Sequence, residues 1–174
     1  TAAGLLRLTL PEGGKVLPLA GHLNNTAHNN RLNGFMDTIN SETGNEIELL
    51  AFQPCFDRDD YAHEITQHAL RANPDLTGIY VASNGQVGAC AAVEEEGRKG
   101  KVKVVAFDLN PMNMELLQSD SLSFVLDQKA FEQGYRKKNC FIRILQSKPS
   151  LTAINLWEWN KREPHIVRFF LMEN

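Results

Sequence analysis

The chain has 174 residues, 43% apolar and 22% charged, which is the make-up of an ordinary globular domain and excludes a disordered or fibrous segment. Its net charge is −3 with both signs interspersed, and its densest basic cluster is Arg136-Lys137-Lys138. That excludes the basic stripe of a surface built to hold phosphates. The length fits one full domain or part of a larger one, and no stretch has the apolar run needed to span a bilayer.

Strand and helix patterns alternate along the chain, as in successive βαβ units around a mostly parallel sheet. A helical pattern runs to about Leu10 and is cut by Pro11-Glu12-Gly13-Gly14. The strand Val16–Ala20 follows, then a polar turn over Gly21–Asn25. A helix from about Thr26 to Asn40 carries Leu32, Phe35, Met36 and Ile39 at the spacing of one helical face. Next come a strand Ile47–Phe52 and a helix to about Ala72, with Asp59 or Asp60 as its N-cap and Tyr61, Ile65 and Ala69 inward. The strand Gly78–Ala82, the helix Gln86–Glu96 and the strand Val102–Phe107 continue the rhythm. Asn110-Pro111 opens a helix to about Gln118, before the strand Leu122–Leu126. A longer helix is expected over Ala130–Gln146, and strands over Ile154–Trp159 and His165–Met172.

Little here favours catalysis or metal binding. Cys55, Cys90 and Cys140 lie far apart with no paired spacing, and read as packed, reduced thiols. The histidines show neither metal spacing nor a Ser or Asp partner; His63 and His68 stand five apart on one helix, the wrong offset to share a face. No glycine pattern for a dinucleotide or phosphate loop follows a strand. The expectation is therefore no catalytic residue, no metal and no cofactor.

What does carry chemistry is the set of polar residues at strand ends, because ligands in open α/β sheets sit outside the carboxyl ends of the strands. Asp108 and Asn84 end strands, where a carboxylate accepts from adjacent hydroxyls and a carboxamide both donates and accepts. Helix capping is the plainer reading of each. Arg31, early in the helix after the first strand, offers paired donors to vicinal hydroxyls or a carboxylate; taken alone, a surface ion pair to Asp37 or Glu42 is the plainer reading. Phe56 follows a strand and offers a face for the apolar side of a ring, or else packs in the core. Gln128 bonds a ligand or its own backbone, and His22 and His28 flank the first polar turn within reach of a ligand. The coincidence of these residues at strand ends favours one polar cleft over separate structural roles.

Several segments in order resemble the sugar-binding domain shared by lactose/galactose-repressor-type regulators and periplasmic ribose-binding-type proteins. They are Val16-Leu17-Pro18-Leu19-Ala20-Gly21-His22, Arg31-Leu32-Asn33-Gly34-Phe35, Phe56-Asp57-Arg58, Asp75 through Asn84, Val104-Val105-Ala106-Phe107-Asp108 and Phe124-Val125-Leu126-Asp127-Gln128. The resemblance implies a three-layer α-β-α fold of the type I periplasmic-binding-protein kind, comprising the second lobe and part of the first. It implies ligand contacts from Arg31, Phe56, Asn84, Asp108 and Gln128, with Ala27 and His22 close by. Where the family often has an Asp after the Asn, this chain has Gly85-Gln86.

The implied layout is a C-terminal lobe over residues 1–126, a hinge and returning elements over 127–160, and a C-terminal strand over 161–174. The start of the first lobe and a DNA-reading helix-turn-helix are expected to be missing, which would leave the Ala130–Gln146 helix without its sheet, to pack non-natively or swap into a neighbouring chain. The expected function is the effector-binding domain of a cytoplasmic, homodimeric transcriptional regulator, not an enzyme. It would bind a sugar or polyol and couple that to DNA through the missing domain. The alternative is a periplasmic sugar-binding protein of an ABC transporter.

Overall fold

The computed structural model describes residues 1–22, 24–41, 46–128, 142–146 and 167–171. Its elements in chain order are α1 (Ala2–Thr9), β1 (Gly14–Ala20), α2 (Thr26–Ser41), β2 (Ile47–Leu49), β3 (Gln53–Pro54), α3 (Asp59–Ala72), β4 (Leu76–Val81) and α4 (Gln86–Glu95). They continue with β5 (Lys103–Phe107), α5 (Pro111–Gln118), β6 (Phe124–Asp127), β7 (Ile142–Gln146) and β8 (Val167–Leu171). All strands belong to one sheet of order β2-β1-β4-β5-β6-β7-β8, with β3 also pairing β1.

From β2 to β6 every pairing is parallel. Buried on both sides, these strands need apolar residues at consecutive positions, and successive side chains go to opposite faces. Leu17 and Leu19, Ile79 and Val81, Val104 and Ala106, and Val125 face one core with α3, α4 and α5. The intervening Val16 and Ala20, Tyr80 and Ala82, Val105, and Phe124 and Leu126 face the other, with α1 and α2. The result is the expected α/β architecture of three layers around a mostly parallel sheet. Leu6 of α1 is wholly buried, so truncating it to alanine should cost about 2–5 kcal/mol.

The inward face of α2 is as expected: Leu32, Phe35 and Ile39 are buried and Met36 packs against them. In α3 Ala69 is buried and Ile65 packs against the core as expected, joined by Ala62, Thr66 and Leu70, but Tyr61 is 39% exposed. The cause is the close approach of α3 to α4. A Cβ at Gly88 would strike the Asp59 backbone, and Ala62 packs at the turn before α4, so no tyrosine fits in that seam.

The expected Asp cap of α3 is also replaced. Arg58 is the N-cap residue and makes no side-chain cap. Asp59 Oδ1 instead accepts from the Gly88 N–H of α4 at 3.2 Å, satisfying one of the orphan donors of its neighbour, and Asp60 pairs with Arg58. The Glu94-Glu95-Glu96 run forms surface ion pairs with Lys99 and Arg71, and Glu95 is hydrogen-bonded to His63.

Two strand expectations change. Of the strand expected over Ile47–Phe52 only Ile47–Leu49 is formed, as β2, and a further short strand, β3, follows at Gln53–Pro54. Between the pairs Val16–Leu49 and Leu19–Gln53 the edge chain advances one residue more than β1 does, a bulge on the sheet edge. The helix expected over Ala130–Gln146 is contradicted at its end, where Ile142–Gln146 is β7, antiparallel to β6. The alternation Ile142-Arg143-Ile144 suits a strand, and β6 would otherwise present an unpaired edge. The β8 strand lies within the expected His165–Met172, parallel to β7. Residues 130–141, the expected Ile154–Trp159 strand and the expected non-native packing lie outside the described residues.

Candidate functional site

Because β1, β3, β4, β5 and β6 run parallel, their carboxyl ends share one edge of the sheet, and the residues that follow them line up along it. In spatial order these are the Phe56 turn after β3, His22 after β1, Asn84 after β4, Asp108 after β5 and Gln128 after β6.

Arg31 reaches this edge from α2. Its Nη1 donates to the Ala82 carbonyl at 3.0 Å and its Nη2 to Gln128 Oε1 at 2.7 Å. The guanidinium also lies over the Phe107 ring, 4.4 Å from its centroid, a favourable cation–π geometry. Behind it Tyr80 stacks on Phe35 at 3.9 Å and meets Phe107 edge-on at 6.1 Å. The Tyr80 hydroxyl donates to the Arg31 carbonyl at 3.2 Å, and burial pushes its pKa above the ordinary value. The ion pair to Asp37 is not formed among the described residues, and Glu42 lies outside them.

From Gln128 the bonding continues, with Nε2 donating to Asp108 Oδ1 at 2.7 Å. Asp108 is exposed and adopts a left-handed backbone, φ +66°, uncommon for a residue with a side chain. It does not cap α5; Asn110 does, accepting from the Asn113 N–H at 2.8 Å, with Pro111 behind it. Arg31, Gln128 and Asp108 therefore present a donor-only, a mixed and an acceptor-only group side by side, a set suited to hydroxyls that both donate and accept.

Phe56 is 43% exposed, not packed in the core, and meets His22 edge-on at 5.5 Å. It and Asp57 both have positive φ, +56° and +58°. Asp57 Oδ1 accepts from the Asn84 N–H at 3.2 Å, tying this turn to the end of β4. Beneath them the buried Cys55 donates to the Ala20 and Asn84 carbonyls at 3.2 and 3.3 Å, and burial raises its thiol pKa. The Asn84 side chain makes no hydrogen bond among the described residues and caps no helix; the N-cap of α4 is Gly85. Gly85 has φ +109°, and a Cβ there would press on Ala62 and Cys55, which is why this turn takes glycine.

Ala27 and His22 are exposed. The Ala27 N–H is held by Asn25 Oδ1 at 2.9 Å. Three residues that shape the edge went unassigned from sequence: Asp57, Phe107 and Asn113. Asp57 and Phe107 lie within segments that carry the resemblance, whereas Asn113 leaves no local signal. No cluster of His, Cys, Asp and Glu able to hold a metal occurs among the described residues.

A family model, the periplasmic binding protein domain, matches residues 1–147. The chain belongs to that family. This periplasmic binding protein domain is 29% identical over 125 residues to the D-allose-binding periplasmic protein of Escherichia coli K12, covering 71% of the chain and 39% of the relative. It is 29% identical over 119 residues to the ribose import binding protein RbsB of Salmonella typhimurium, covering 67% of the chain and 38% of the relative. Among solved structures, an ABC transporter solute-binding protein from Agrobacterium vitis bound with α-D-tagatopyranose aligns with a TM-score of 0.71 at 29% identity. That alignment covers 77% of the chain and 45% of the solved one.

The chain thus spans less than half the length of these relatives. They are sugar-binding and transport proteins, and they overturn the expectation of a cytoplasmic, homodimeric transcriptional regulator partnered by DNA. The regulator expectation rested on a shared fold, and fold does not give function. Cys55 and Cys90 are free and buried, as expected of packed thiols.

Proposed function

We propose that this chain is one lobe of a periplasmic protein that binds a sugar or polyol and delivers it to an ABC transporter, without chemical change to the ligand. The hydrogen-bonded set Arg31–Gln128–Asp108 on the carboxyl edge of the sheet carries the reading. The relatives that bind allose, ribose or tagatose support it. In this reading Arg31, Asn84, Asp108 and Gln128 bond ligand hydroxyls, Phe56 stacks on the apolar face of the ring, and His22 and Ala27 border the site. Residues 1–126 are the C-terminal lobe in this reading, and β7 and β8 extend its sheet beyond β6.

Calorimetric titration of the full-length protein with D-allose, D-ribose and D-tagatose tests this. At least one should bind saturably, and Asp108→Ala should weaken that binding at least tenfold. Absence of binding by all three, or binding indifferent to Asp108→Ala, would sink the reading.

A further inference from the structure

Asn113 is a fully buried polar residue on the first turn of α5. Its backbone N–H already has Asn110 as partner, so the helix makes no call on its side chain. Its carboxamide nitrogen donates to two backbone carbonyls, Phe107 O at 3.0 Å and Asp108 O at 2.7 Å. Carbonyls only accept, so they determine which end of the Asn113 amide is nitrogen. Its Oδ1 then accepts from Gln86 Nε2 at 3.0 Å. Gln86 is itself buried, and this leaves its Oε1 buried without a partner among the described residues. An unpaired buried carbonyl is costly; the arrangement gives up that bond and keeps the one to Asn113.

The carbonyl that Asn113 holds is that of Asp108, whose left-handed backbone points its carboxylate at Gln128. The same carbonyl accepts from the Asn110 N–H at 3.0 Å, and the Asp108 N–H donates to Leu126 O at 3.0 Å. Gln86 stands two residues beyond Asn84, so the Gln86–Asn113 bond also ties the end of β4 to the end of β5.

We propose that Asn113, oriented by Gln86, is a positioning residue: it holds Asp108 in its left-handed conformation and fixes the spacing of Asp108 from Asn84. Its effect on affinity rests on the sugar-site reading above; its effect on the Asp108 backbone does not. Without the two donors of Asn113, Asp108 relaxes towards an ordinary backbone and its carboxylate leaves the hydroxyl it would bind.

The test compares the full-length protein with Asn113→Ala, Gln86→Leu, Asp108→Asn and the double variant Asn113→Ala/Asp108→Asn, titrated with D-allose, D-ribose and D-tagatose. Asn113→Ala should weaken binding about tenfold, equivalent to about 1.4 kcal/mol, and Gln86→Leu about threefold. In the Asp108→Asn background Asn113→Ala should change affinity less than twofold. Equal losses in both backgrounds would mark general damage to the lobe and overturn the proposal, as would no loss in either single variant. Crystal structures of the unliganded Asn113→Ala and Gln86→Leu proteins give a readout independent of sugar, and the second serves where the first does not fold. Departure of Asp108 from positive φ in Asn113→Ala, or a turned Asn113 carboxamide in Gln86→Leu, supports the proposal. Unchanged geometry at both residues overturns it, even if no sugar binds.

Discussion

Arg31 Nη2 lies 2.7 Å from Gln128 Oε1, joining side chains 97 residues apart in the chain. The bond spans the edge of the sheet from α2 to the residue after β6, and through Gln128 it aligns a carboxylate on the same edge. A network satisfied this way before ligand arrives is preorganised, so ligand binding loses little to reordering.

Arg31→Ala removes the donors to Ala82 and Gln128 together with the guanidinium over Phe107. Sugar affinity should fall by about 2–4 kcal/mol, roughly 30- to 1,000-fold in Kd. Titration of the full-length variant checks this, and an unchanged Kd would remove Arg31 from the site.

Phe56→Ala separates binding from stability. The ring is 43% exposed, so little core packing is lost, while a stacking face worth about 0.5–1.5 kcal/mol disappears. The expected result is a several-fold weaker Kd with Tm nearly unchanged. A large drop in Tm would show that the ring's main work is holding the turn over Cys55.

Gly88→Ala should act the other way. The added Cβ meets the Asp59 backbone, which is not a flexible side-chain end. Forcing α3 off α4 should destabilise the lobe by about 1–3 kcal/mol, read as a lower midpoint in urea. An unaltered midpoint would show that the two helices separate without cost.

Lys15 and Asp75 pair at 3.0 Å at the amino end of the sheet, far from the strand-end residues. The hydrogen bond from Lys15 holds the Asp75 carboxyl below its ordinary value, and the same bond raises Lys15. The stability from Asp75 is therefore fully present above the ordinary carboxylate range, about pH 4, and is lost as pH falls through its lowered value. That from Lys15 is lost only as pH rises through its raised value. Asp75→Asn should flatten the acid limb of Tm against pH slightly, since the pair is exposed, and leave sugar affinity unchanged. An acid limb identical to that of the natural protein would rule the pair out as a contributor.

The order of strands and helices through Leu126 was legible in the sequence because burial of a parallel sheet on both faces requires consecutive apolar residues, and the intervening helices carry their own periodicity and stop residues. Val16–Ala20, Val102–Phe107 and the Leu32/Phe35/Ile39 stripe each show this locally. The strand-end positions of Asn84 and Asp108 follow from the same pattern. A family resemblance was legible too, but not the choice between regulator and transport protein, since fold does not give function.

What only the tertiary structure decided are relationships between residues far apart in the chain. Arg31 turns to Gln128 and Phe107 instead of a neighbouring acid, because the folded sheet puts a carbonyl, a carboxamide and a ring within its reach. Tyr61 faces out because α3 and α4 meet through Gly88. Ile142–Gln146 is a strand because β6 has an open edge for it to pair with, although its surroundings in sequence read as helix. Periodicity reports which residues are buried; which partner each one meets is set only when the elements pack.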